Sequence, residues 1–301
     1  MTESLSRSWE VEQVSFRSGR VLCVGSLYRP RQAQTVKVPC LILGHGFGGV
    51  RSLLAPYAEA FAARGWAILT FDYRGFGDSE GDQRQVLKIS DQLADWHAAI
   101  AFVKTLQVVD ALRIGLWGSS LGGGHVITVA ASDPSVKAVV AQVPHVDGLA
   151  TLRTAGWRHG LLLAPSVVHD FVAWAVGGRR VMVPLIGRPG DEAMMTGDAS
   201  ADFIAHTQAV APSMRVEVAA IAGLAIALYF PIRYISRVHC PLLMLVADRD
   251  GTAPAAKALA AAARAPRCEV VRYDVQHFDI YLEPTLHLAV AAEIDFFERW
   301  L

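Results

Sequence analysis

The stretch Leu112-Arg113-Ile114-Gly115-Leu116-Trp117-Gly118-Ser119-Ser120-Leu121-Gly122-Gly123-Gly124 decides how the chain is read. An apolar run of strand type enters Gly118-Ser119-Ser120-Leu121-Gly122, and a helix-like run, His125 to Ala131, leaves it. Gly-x-Ser-x-Gly between a strand and a helix is the setting of a nucleophile elbow. The glycines remove β-carbons where strand and helix nearly touch, and the turn lifts Ser120 above the sheet. The free N–H groups of the following helix terminus suit a developing negative charge. A plain glycine-rich β–α turn would show the same five residues, so the rest of the chain has to choose.

On both sides of this stretch, strand and helix patterns alternate. Val11 to Phe16 and Arg20 to Tyr28 read as a hairpin about Ser18-Gly19. Val36 to Leu43 is a continuous apolar run, as for a strand buried on both faces. Leu54 to Arg64 reads as a helix and Trp66 to Phe71 as a strand. Ile89 to Leu106 reads as a helix with Ser90 as its N-cap, and Val136 to Val143 as a strand. The pattern resumes at Cys240, with strands at Pro241 to Val246 and Cys268 to Tyr273 and helices at Pro254 to Ala263 and Leu286 to Trp300. This alternation predicts an α/β fold with a doubly wound, mostly parallel sheet and an antiparallel hairpin at its edge. Between about His145 and Val238 the alternation stops. Residues 145–238 are expected to form a helical cap without clean strands, inserted in a core made of residues 1–144 and 239–301, with Val218 to Phe230 as a buried helix.

The 301 residues are 52% hydrophobic and carry no formal net charge, so nothing points to nucleic acid or an anionic surface. Met1 to Glu10 is polar and shows no signal peptide. The longest apolar run has thirteen residues, fewer than the roughly 20 a span needs. A cytoplasmic protein with no membrane span is expected. Cys23, Cys40, Cys240 and Cys268 are scattered and read as free thiols. No cluster has metal-ligand spacing; Met194 and Met195 read as flexible packing, and no cofactor is expected.

A serine hydroxyl needs a base, the base an orienting acid, and the tetrahedral intermediate needs donors for its oxyanion. After the Leu242 to Val246 strand, Asp248 and Asp250 compete for the acid. Asp250 is preferred, since Asp248 lies nearer the strand end and can cap the turn. His277, just after the next strand, is the base, while His287 looks helical. Ser, Asp and His then follow in the order the elbow scheme requires. The oxyanion donors are the N–H of Leu121 and, from His45-Gly46-Phe47-Gly48-Gly49, that of Phe47. Asp72-Tyr73-Arg74-Gly75-Phe76-Gly77 reads as architectural, its charged groups tying neighbouring loops together.

These motifs, with Pro254 four residues after Asp250, resemble the α/β-hydrolase fold superfamily over nearly the whole chain. Within it the chain is similar to dienelactone-hydrolase-like and S9/S15-peptidase-like proteins and to fungal polyketide transferases, a likeness to which Val183-Pro184-Leu185-Ile186-Gly187-Arg188-Pro189-Gly190 adds. Ala247 departs from the glycine usual at the start of the acid loop. The resemblance implies Ser120 as nucleophile, His277 as base, Asp250 as acid, and Phe47 and Leu121 as oxyanion donors. The expected activity is hydrolysis of an ester, lactone or thioester through an acyl-enzyme, with acyl transfer and peptide hydrolysis as alternatives. The apolar cap suggests a hydrophobic small-molecule acyl substrate or, equally, a homo-oligomer contact.

Overall fold

The computed structural model describes residues 8–31, 36–196 and 200–301, without the side chains of 200–202. Residues 1–7 of the polar amino-terminal stretch lie outside them. A hairpin of β1 (Trp9–Ser18) and β2 (Val21–Pro30) opens the chain, and β3 (Val38–Gly44), α1 (Ala55–Ala62), β4 (Ala67–Phe71) and α2 (Ile89–Val103) follow. Next come β5 (Val109–Ser119), α3 (Leu121–Ala130) and β6 (Val136–Gln142). The segment after β6 holds α4 (Gly148–Ala155), α5 (Trp157–Ala175), β7 (Met182–Pro184), β8 (Ile186–Gly187), β9 (Met195–Thr196), α6 (Ser200–Val210), β10 (Glu217–Ala219) and α7 (Ala222–Ala227). Last come β11 (Leu242–Ala247), α8 (Ala255–Ala262), β12 (Cys268–Tyr273) and α9 (Thr285–Trp300).

Eight strands form one sheet in the order β1-β2-β4-β3-β5-β6-β11-β12. β2 runs antiparallel to both β1 and β4, and the pairings from β4 to β12 are parallel. This is the α/β-hydrolase architecture. Helices cover both faces, which is why the central strands are apolar at nearly every position. Ile42, Leu69, Leu116 and Met244 point to the α2, α3 and α8 side, where Trp96 is buried. Leu41, Leu43, Trp117 and Leu245 point to the α1 and α9 side, against Phe61, Phe296 and Phe297. Cys23 and Cys40 are buried, and burial raises both thiols above their ordinary range. Among the described residues no helix is long and apolar enough to cross a membrane.

Two local expectations need correction. The segment between β6 and β11 contains four short strands, β7 paired antiparallel with β10 and β8 paired parallel with β9. The Val218–Phe230 run is therefore not one helix. Glu217–Ala219 pairs with Met182–Pro184, and the Ala219 N–H donates to the Gln85 carbonyl (2.9 Å), so long-range partners take these backbone groups before a helix can. Only Ala222–Ala227 remains helical. Ser90 is not a cap either: α2 begins at Ile89 with Lys88 as N-cap, and the Asp91 and Gln92 N–H groups donate to the Lys88 carbonyl at 3.1 Å.

One carboxyl group of α9 is out of place electrostatically. Glu293 is fully buried, and neither oxygen has a hydrogen-bond partner among the described residues. Burial pushes its pKa up to about 8, against a smaller opposing pull from the Trp117 indole. The folded protein holds this proton while the unfolded chain releases it near pH 4.5, so the contribution to stability is full below that pH and declines as pH rises toward 8. Glu293→Gln should match the wild type near pH 5 and exceed it at pH 8 by up to a few kcal/mol. Urea unfolding of both proteins at the two pH values measures this; a difference independent of pH would contradict it.

Candidate active site

The elbow begins with backbone geometry. Ser120 has φ 55° and ψ −118°, a conformation that a side chain rarely tolerates. Its N–H donates to the Gln142 carbonyl (2.9 Å), and its own carbonyl accepts from the His145 N–H (2.9 Å) and the Gly124 N–H (3.2 Å). The strain is held by β6 and the loop after it. A Cβ at Gly118 would lie 2.2 Å from the Gly122 carbonyl oxygen, so that position admits glycine alone.

β11 and β12 deliver the other two groups beside Ser120. The Ser120 hydroxyl lies 3.1 Å from His277 Nε2. On the far side of the ring, His277 Nδ1 lies 2.6 Å from Asp250 Oδ2. With Nδ1 protonated, the ring donates to Asp250 and accepts from the serine. The second oxygen, Asp250 Oδ1, accepts from the Thr252 N–H (2.7 Å) and the Ala253 N–H (2.6 Å), fixing the carboxylate in its turn. His277, Asp250 and Ser120 are all buried, so these bonds run out of water. Asp248 faces the other way and accepts from Arg272 Nε (2.9 Å) at the surface.

Leu121 is the first residue of α3, where an N–H has no intrahelical carbonyl to meet. Opposite it, the loop after β3 comes close: a Cβ at Gly46 would sit 3.0 Å from Ser120 Cβ. Phe47 follows and lines the same cavity as Ser120 and His277. The Asp72 loop stays structural. Asp72 holds Arg51 through its guanidinium and its N–H (2.7 Å), and Arg74 Nε donates to the buried Asp95 (2.8 Å).

The cavity over Ser120 is small, about 70 Å³, and mostly apolar. The chain between β6 and β11 roofs it with Leu185, Ile186, Met195, Phe203, His206 and Met214. Phe203 stacks on Phe278, next to His277 (centroids 4.6 Å apart). No fixed spacing marks these residues as site residues in the sequence, where Met195 reads only as packing. A hydrogen-bond network behind Ser120 is silent in the sequence for the same reason. The Ser119 hydroxyl pairs with the Tyr281 hydroxyl (2.7 Å), and Gln142 Nε2 donates to Ser119 (3.1 Å) and Tyr57 (3.0 Å). His125 and His145 lie on the other flank. Burial pushes them down to about 3 and about 4, so both are neutral at pH 7. Among the described residues no three His, Cys, Asp or Glu side chains are grouped to hold a metal ion.

Comparison with known proteins agrees with this architecture. A relative from Acinetobacter baumannii, the quorum-quenching protein AidA, is 39% identical over 288 residues, covering 95% of this chain and 94% of its own. Thiohydrolase aneE of Aspergillus aculeatus is 27% identical over 72% of this chain and 70% of its own. Polyketide transferase grgF of Penicillium is 33% identical over half of each chain. The crystal structure of this Penicillium α/β hydrolase superposes with a TM-score of 0.77 at 19% identity, covering 97% of this chain and 98% of that one, a likeness of fold. The family model described as serine aminopeptidase, S33 matches residues 36–285. The chain belongs to that family and is an enzyme of the α/β-hydrolase superfamily.

Proposed function

We propose that the chain is a serine acyl hydrolase that cleaves an ester, lactone or thioester through an acyl-enzyme on Ser120. The observation that carries this reading is the unbroken Ser120–His277–Asp250 line, 3.1 Å and 2.6 Å per step. His277 takes the proton of Ser120 as Oγ attacks the carbonyl carbon. The oxyanion forms against the N–H groups of Leu121 and Phe47. Protonated His277 gives its proton to the leaving group, and water repeats the sequence on the acyl-enzyme. Asp250 keeps the tautomer and stabilises the imidazolium. No step calls on a metal or cofactor.

The apolar cavity supports a hydrophobic acyl group, with residues 145–238 acting as a cap over a core of 1–144 and 239–301. The thiohydrolase relative supports hydrolysis, and we place the enzyme in the cytoplasm. A second reading, acyl transfer, draws on the polyketide transferase relative and on the apolar lining of the cavity.

A fluorophosphonate should label Ser120, as read by peptide mass spectrometry, and Ser120→Ala should lower kcat on p-nitrophenyl esters by about four to six orders of magnitude in a folded protein. A loss below about tenfold would remove Ser120 as nucleophile. Asp250→Asn should cost on the order of 10³–10⁴ in kcat, and Asp248→Asn less than about threefold. Product analysis with an added alcohol or amine separates the two readings; transfer exceeding hydrolysis would favour the transferase.

A further inference from the structure

Helix α5 is covered on one side only. Leu163 and Asp170 are its buried residues, and Asp170 is held by the Arg180 guanidinium (2.8 Å) and by the N–H groups of Val181 and Ile221 (both 2.9 Å). On the remaining surface Trp157, Leu161, Val168, Phe171, Val172 and Trp174 are each more than half exposed. Leu152 of α4 and Leu224 of α7 extend the patch. The apolar area is on the order of 1,000 Å², above the several hundred Å² usual for the largest patch of a monomer and comparable with the ~800 Å² that each partner buries in a standard interface.

The pattern on this face identifies the occupant. Trp157, Leu161, Ala164, Val168, Phe171 and Ala175 follow one another in alternating steps of four and three, the seam by which one helix packs along another. We propose that α5 pairs antiparallel with α5 of a second copy of this chain, about a two-fold axis near Ser166. This register is self-complementary, as an isologous interface requires. Trp157 meets the partner's Ala175, Leu161 meets the partner's Phe171, and Ala164 meets the partner's Val168. A parallel pairing would set Trp157 against the partner's Trp157 and alanine against alanine, leaving bulges and gaps. The exposed charges from Leu149 to Val181 are arginines alone, among them Arg153, Arg158 and Arg179, which would also suit an anionic lipid surface. A lipid surface, however, gives no reason for large and small residues to alternate in matching register.

Sedimentation of the full chain from low to about 50 µM tests the proposal, with circular dichroism and ester hydrolysis confirming that each variant is folded. The wild type should sediment at twice the 32.5 kDa of one chain. Val168→Glu, an exposed substitution, should give a folded monomer, with Leu161→Lys as a second variant of the same kind. Trp157→Ala and Ala175→Trp should each raise the dimer Kd at least tenfold, and the combined exchange W157A/A175W should return it to within about threefold of wild type. A monomeric wild type at about 50 µM overturns the pairing, as does a Val168→Glu variant that remains dimeric. A monomer that floats with vesicles of phosphatidylcholine and phosphatidylglycerol would assign the face to lipid instead.

Discussion

The site depends on one strained residue. Ser120 keeps a left-handed backbone because β6 holds its N–H, the loop after β6 holds its carbonyl, and glycines at 118 and 122 leave room for the turn. Relaxing that conformation would drop the hydroxyl toward the sheet and away from His277. The parallel strands around it supply the rigidity. β5, β6 and β11 are paired side by side and buried on both faces, so their carboxyl ends cannot shift independently. The loops that carry Asp250 and His277 leave from β11 and its neighbour β12. The catalytic roles proposed here thus rest on backbone hydrogen bonds as much as on the three side chains.

Much of this was legible in the sequence because the physics concerned is local. Strands buried on both faces read as apolar runs, tight turns demand glycine, and the acid and base candidates stand just after strands. Asp248 and Asp250 show the limit of that reading. Both lie in the same turn, and proximity to the strand end gave a preference between them, but only the fold separates a carboxylate bonded to His277 from one bonded to Arg272.

The segment between β6 and β11 was less legible. Its apolar residues serve three masters: the sheet, the cavity and, on α5, an outward face. No single period survives that overlap. The Val218–Phe230 run looked helical because its composition is alanine- and leucine-rich, yet Glu217–Ala219 gained more from pairing with β7 and with Gln85. The roof residues Phe203 and His206 and the Ser119–Tyr281–Gln142–Tyr57 network join positions far apart in the chain, and no short-range pattern announces them.

The Ser120 hydroxyl and the His277 ring are separated by 157 positions along the chain. During synthesis, the strand carrying the serine emerges well before the imidazole that would take its proton, and the whole segment between β6 and β11 is made in the interval. A nascent polypeptide therefore exposes an ordinary alcohol to the metabolites around it. The capacity to form the covalent intermediate proposed above would arrive late, with the last two strands, when the segment that lines the cavity has already been made.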